Sequence, residues 1–264
     1  MQDIGLVLKF TCISSFKKKK KKKSCVLFGM ESVIILERDN HGDVLVAWRY
    51  PNVDPLDEKV ICSRSFLESG VPSQSSFSFS RFRSRYFYSW VIVPGAGPRV
   101  TAFCVTLVAT DLWPEKHGAL CRLFAKQLQQ NPSPTAVLQS FLSALTLGKA
   151  SAAGVEWEAA SFNIKASFLA GSLPQMVRDL GSDGSALLYA AMLTRKRVAV
   201  VSSSLVPLLR LVRTSPQLVW HRQCWDVLHP LVADGEEELK VETEKKKSTG
   251  CFFQGLLTFF FLTH

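Results

Sequence analysis

Seven cysteines (Cys12, Cys25, Cys62, Cys104, Cys121, Cys224 and Cys251) occur in the 264 residues without a single C-x-x-C pair. An odd, scattered set excludes a zinc ribbon and a disulfide framework, and it fits free thiols in a reducing compartment. The phosphate loop G-x-x-x-x-G-K-[ST] is missing: the one Gly-Lys step, Gly148–Lys149, is followed by alanine and lacks the upstream glycine. Gly95 and Gly97 have no third glycine at Val100, which excludes the dinucleotide-binding fingerprint. There is no G-x-S-x-G elbow for a hydrolase nucleophile. No apolar run reaches the ~20 residues that a bilayer span requires. The most apolar stretch, "CFFQGLLTFFFLTH" at 251–264, stops short of that length. A chain without a phosphate loop, metal set or nucleophile motif reads as one that acts by binding.

What is present begins with an uneven charge. The formal net charge is +10, but residues 1–29, with Lys9, the run Lys17–Lys23 and one acid, Asp3, supply +7 of it. The remainder is close to an ordinary soluble domain, so the charge does not argue for nucleic acid. The leader is not a secretory signal, because "IGLVLKF" precedes the lysines instead of following them. A nuclear-localisation or anionic-lipid role is one reading of the run, and a translated adenine-rich tract the other. Residues 1–29 are expected to be disordered, with protein-like text opening at Met30. Residues 236–264, a highly charged stretch followed by the apolar end, are expected to form a disordered or aberrant tail.

Between these ends the pattern is regular. "VIILERD" and "DVLVAWRY" flank Asn40-His41-Gly42 and predict a hairpin. A helix is expected within 57–69, closed by Gly70, and extended structure from Phe77 to Val93. A strand over "RVTAFCVTLVATD" precedes two amphipathic helices, "WPEKHGALCRLFAKQLQQ" and "TAVLQSFLSALTLG", separated by "NPSP". The order β-β-α-β-β-β-α-α predicts a five-stranded antiparallel sheet with helices against it, over residues 30–148. Small and polar residues at 149–160 read as a linker. From 161 to 235 the pattern changes to short helix, apolar helix (185–194), buried strand (Val198–Val201), helix ("LVPLLRLVR") and further apolar stretches, "QLVW" and "WDVLHPLV". "QLVW" is apolar enough for a core strand. Helix–strand alternation implies a parallel sheet covered on both faces. The expected fold class is α/β: an antiparallel-sheet lobe with helices, then an incomplete parallel α/β lobe.

Three groups of residues are candidates for function. Arg195, Lys196 and Arg197 interrupt two apolar runs. They either meet the negative end of a helix and its free carbonyls, or form a basic rim of an inter-lobe cleft facing an acidic partner. Arg81, Arg83 and Arg85 share one parity among aromatics, as a nucleic-acid-binding sheet would arrange them, or as a hairpin with its arginines in water would. His221, Cys224, Asp226 and His229 lie close in sequence, but one His–Cys pair is too few for zinc and a catalytic triad needs convergent geometry. No catalytic, metal-ligating or cofactor-binding residue is therefore assigned.

The segment "LLYAAMLTRKRVAVVSSSLVPLLRLVRTSPQLVWHRQCWDVLHPLV" resembles the central part of the DENN module, in which an apolar helix, a basic tripeptide, a hydrophobic strand, a serine-rich turn and a tryptophan-containing stretch follow in this order. "NHGDVLVAWRYP", "RYFYSWVIVP", "ATDLWPEKHGALCRLF" and "FLAGSLPQMV" support the resemblance, which covers roughly residues 30–235. It implies a longin-like first lobe and a DENN second lobe, ending early as a truncated product. It implies a guanine-nucleotide exchange factor, or its remnant, for Rab-family small GTPases, Rab27-type among them. That protein would sit in the cytoplasm and reach late endosomes peripherally through the GTPase, without nucleic acid or cofactor. A non-catalytic longin-type trafficking adaptor is the alternative, and an unrelated hydrolase around Cys224 and His221 a third. The partner-binding residues expected are Arg195, Lys196 and Arg197, with Trp220 and Arg222 at the rim.

Overall fold

The computed structural model describes residues 4–9, 29–67, 75–93, 99–194, 196–202, 204–222, 225, 228–232 and 253–257. The chain divides into two compact units, one of residues 24–167 and one of residues 1–23 with 168–264.

In the first unit the strands are β2 (Met30–Asp39), β3 (Val44–Tyr50), β4 (Ser76–Phe82), β5 (Arg85–Ile92) and β6 (Val100–Ala109), following β1 (Ile4–Lys9) of the other unit. They form one sheet in the order β3-β2-β6-β5-β4, antiparallel throughout. Helix α1 (Pro55–Arg64) lies between β3 and β4 in sequence, while α2 (Pro114–Gln130) and α3 (Pro134–Leu147) follow β6. This is the element order that the hydrophobic patterning predicts.

The two central strands explain the layers. In "VIIL" and "CVTLVA" apolar residues occupy both parities, so both sheet faces must be covered. Ile34, Leu36, Phe87, Val91, Ala102, Cys104 and Val108 face one way and bury Ile61 of α1 and Leu67 after it. Val33, Ile35, Val105, Leu107 and Tyr88 face the other way and are fully buried. On that side the Phe79, Tyr88 and His117 rings stack in sequence, and Phe124 of α2 meets Phe141 of α3 edge-on at 6.5 Å.

A bulge sets the edge strand. Ile35 pairs with Trp48 and Leu36 with Val46, leaving Ala47 as an extra residue. Val44 and Val46 therefore pack on the α1 side, whereas the Tyr50 ring reaches Phe141 of α3, 6.5 Å between centroids. Helix α1 is shorter than the sequence suggests. It starts under an Asp54 cap, whose side chain accepts from Leu56 N at 2.8 Å. It stops at Arg64, six residues before Gly70, because Phe66 takes the left-handed conformation (φ 57°) and turns the chain. Gly148 (φ 68°) closes α3 where expected.

Residues 149–160 are not a linker. They form a hairpin of β7 (Lys149–Ala152) and β8 (Val155–Glu158) and a following 3-10 turn (Ala159–Ser161). Ala150 and Trp157 are cross-strand partners and both are buried, and Trp157 Nε1 donates to the Lys116 carbonyl at 3.0 Å. One buried indole outweighs a polar composition. Ala153 and Gly154 both adopt positive φ, as a two-residue hairpin turn requires. The short helix α4 (Ile164–Phe168) follows.

The second unit contains α5 (Leu173–Leu193), β9 (Arg197–Ser202), α6 (Leu205–Thr214), β10 (Leu228–Val232) and β11 (Phe253–Leu257). Gly181 (φ 74°, ψ 173°) breaks α5 into the two helices that the sequence indicates. The sheet order is β1-β9-β11-β10. β9, β11 and β10 run parallel, as expected, and β1 adds an antiparallel strand at one edge, so the sheet is mixed. Val198 and Val200 of β9, Leu208, Leu211 and Val212 of α6, and Leu228 and Leu231 are buried. Three expectations are corrected here. Residues 4–9 of the leader and 253–257 of the tail are strands, because their apolar segments find ladder partners in β9 and β10. The rest of both segments lies outside the described residues. "QLVW" is not a strand but part of a 3-10 stretch, Ser215–Arg222, where Pro216 lacks the ladder donor a central strand needs.

Replacing Phe87, 1% exposed between β6 and α1, by alanine is expected to cost about 3–5 kcal/mol, read as a lowered urea midpoint by tryptophan fluorescence.

Candidate functional site

The basic tripeptide lies where α5 gives way to β9. The last carbonyls of α5 are taken by the chain itself. Thr194 N donates to Ala190 O at 3.0 Å, Thr194 Oγ1 to the same oxygen at 2.7 Å, and Lys196 N to Ala191 O at 2.8 Å. Those two carbonyls are thus satisfied by the main chain and a threonine hydroxyl. Lys196 is half-buried. Arg197 opens β9 opposite Lys9 of β1. Arg195 and the side chain of Arg197 lie outside the described residues.

Trp220 and Arg222 fall in the 3-10 stretch after α6, and their side chains lie outside the described residues. The histidines and cysteine considered for chemistry sit in unlike surroundings. His221 is exposed, and His229 is buried in β10; Cys224 and Asp226 lie outside the described residues. Among the described residues no group of three or more His, Cys, Asp and Glu side chains could hold a metal ion. Burial pushes the Cys104 thiol up to about 12 and raises that of Cys121 as well, so neither is a thiolate nucleophile at neutral pH. No helix among the described residues is long and apolar enough to cross a membrane.

The arginines of the β4–β5 hairpin each make contacts within the first unit. Arg83 occupies the turn (φ 54°) with its guanidinium 5.0 Å from the Phe82 ring centre. Arg81 lies over the Tyr86 ring at 5.5 Å, and its Nε donates to Arg83 O at 3.2 Å. Arg85 bridges Asp57 of α1 and Glu31 of β2, with 2.7 Å between its Nε and Glu31 Oε2. Burial opposes the Arg85 charge, but the two carboxylates outweigh it and hold its pKa above the ordinary value.

This acid–base cluster was not visible in the sequence, where its members are 26 and 28 positions apart. Asp57 is 1% exposed and Arg85 38%. Beside them a cavity of about 260 Å³ is bounded by Glu31, Ser32, Pro51, Asn52, Asp54 and Arg85. A second surface cavity, of about 300 Å³, lies against the β7–β8 hairpin, bounded by Ser143, Lys149, Trp157 and Glu158 among others. Neither carries a nucleophile–base pair among its described lining residues.

Removing Arg85 strands a buried carboxylate, whereas removing Asp57 leaves Arg85 with Glu31 and water. Arg85→Met is therefore expected to cost about 3 kcal/mol, the low end for a broken buried pair because the guanidinium is partly wet. Asp57→Asn should cost roughly 1 kcal/mol. Equal losses in chemical denaturation of the two variants would contradict this asymmetry.

No family model matches the chain. Its similarity to whole proteins is clear. It is 30% identical over 215 residues to human "DENN domain-containing protein 10", covering 80% of this chain and 60% of that one. The zebrafish (Danio rerio) protein of the same name is 31% identical over 215 residues, 80% and 61% of the two chains. That of Dictyostelium discoideum is 29% identical over 230 residues, 80% and 62%. The chain thus spans about 60% of the length of these relatives.

Proposed function

We propose that the chain is a DENN-domain protein that binds Rab-family GTPases and promotes their nucleotide exchange in vesicle trafficking, a reading drawn from its similarity to DENN domain-containing protein 10. The observation that carries this reading is the similarity itself, sustained over 215 residues at about 30% identity. It is supported by a first unit with an antiparallel sheet in the order β3-β2-β6-β5-β4, α1 on one face and α2 and α3 on the other, which is compatible with the lobe the resemblance implies.

Exchange forms no covalent bond in the factor. A factor that binds the nucleotide-poor GTPase more tightly than the loaded form shifts the population toward release, and the size of the effect is the difference between the two affinities. Such a protein needs shaped surface and charge rather than a nucleophile. Arg195, Lys196 and Arg197 are the proposed GTPase contacts, with Trp220 and Arg222 as proposed rim positions in the same unit. Rab27-type GTPases and late endosomes are the finer assignment, with membrane contact made through the prenylated GTPase. A second reading is a non-catalytic adaptor that uses the first unit, with its own core on both faces of its sheet, to hold a partner.

The test is release of a fluorescent GDP analogue from a panel of Rab GTPases, Rab27-type included, with a Ras-type GTPase as control. Acceleration of at least one Rab supports exchange; binding without acceleration supports the adaptor; neither overturns both. Charge reversal at 195–197 is expected to weaken Rab binding about tenfold or more while the melting temperature stays within a few degrees. A loss of stability without a loss of affinity would return these residues to a structural role.

A further inference from the structure

One ionisable pair of the first unit joins a buried imidazole to a half-exposed carboxyl. It lies where β6 hands over to α2. Residues Thr110–Trp113 are pinned there by hydrogen bonds from three sides. Thr110 N donates to Gly29 O at 2.8 Å. Tyr88 Oη donates to Asp111 O at 2.6 Å and accepts from Trp113 N at 2.8 Å. His117 Nε2 lies 2.7 Å from Asp111 Oδ1. The His117 side chain is fully buried, with its ring 4.8 Å from that of Tyr88, while the Asp111 carboxyl is 38% exposed.

The proton's position follows from the partners. Burial raises the Asp111 pKa, but the His117 hydrogen bond and the charges of His117 and Lys116 outweigh it and leave it below the ordinary value. Asp111 is therefore a carboxylate at neutral pH and can only accept, so Nε2 carries the imidazole hydrogen. Nδ1 is left as a lone pair, and it is buried with no hydrogen-bond partner. Protonating His117 would put an N–H at Nδ1 with nothing to receive it, beside Lys116, whose buried side chain lies 4.7 Å from the Trp113 ring centre. The groups facing the imidazole are Asp111 from the loop, Lys116 from α2 and the Tyr88 phenol from β5. Burial is the main cause holding His117 below its ordinary value; Lys116 adds to it and Asp111 opposes it.

We infer that the Asp111–His117 pair is an acid-sensitive latch, in which proton uptake at Nδ1 releases Thr110–Trp113 and the first turn of α2 from the sheet. The sign follows from linkage. The closed form refuses a proton that the open form accepts near the ordinary imidazole value of 6.5. Closure is thus complete above that pH and is lost as the pH falls below it. One proton corresponds to a tenfold change in the closed-to-open ratio per pH unit. The depressed Asp111 acts in the same direction only below 3.8, outside this window.

The test is hydrogen–deuterium exchange of peptides spanning 110–120 in the full chain, between pH 7.5 and 5.5, corrected for intrinsic exchange. The wild type should open up to about tenfold more per pH unit below 6.5, while His117→Gln, which keeps a donor to Asp111 but cannot titrate, should be flat. Identical pH dependence in the two would overturn the latch. Should the variant not fold, nitrogen NMR of the wild-type imidazole decides: a neutral Nε2–H tautomer persisting below pH 6 supports it, and titration of His117 at the ordinary value sinks it.

Discussion

The pairing of β2 with β6 is the constraint from which the first unit follows. Both strands are apolar on both faces and lie at the centre of the sheet, so neither face can meet water. Helix α1 covers one face and α2 with α3 the other, and β3 and the serine-rich β4 take the edges. The bulge at Ala47 belongs to the same solution. It lets a single edge strand send valines to one layer and a tyrosine to the opposite one.

Two ionisable clusters of this unit sit at the margins of the sheet. Arg85 holds Asp57 and Glu31 where β5 begins, and Asp111, His117 and Tyr88 close the junction of β6 and α2. A buried charge is tolerated only with a partner, so each cluster fixes a loop or helix start against the strands. Both orient elements of the fold. The two clusters differ in their response to acid: the first is held by a guanidinium that stays charged, the second by an imidazole that does not.

Much of the fold was legible from the residues. The element order of the first unit, the start of α2 at Pro114, the Gly148 stop of α3 and the break near Gly181 are local signals, set by propensity, capping and periodicity within a few residues. The similarity to DENN domain-containing protein 10 was legible for a related reason, since the order of short motifs survives where each motif alone is weak. The candidate site was less legible. The tripeptide at 195–197 was found by its charge, but its capping reading overlooked Thr194, whose hydroxyl and amide reach the same carbonyl first.

By itself the sequence determined the element order over residues 30–148, which of its faces are apolar, and that nothing in it supports a phosphate loop or a nucleophile elbow. Only the tertiary structure decided the register of β3 on β2, the burial of Trp157 in a segment that reads as linker, and the recruitment of residues 4–9 and 253–257 to β9. It also decided the meeting of Arg85 with Asp57 and the stranding of His117 Nδ1. Strand pairing and ion pairing depend on groups remote in the chain, whereas periodicity and capping are read within a single turn or strand, and only folding brings the remote groups within range.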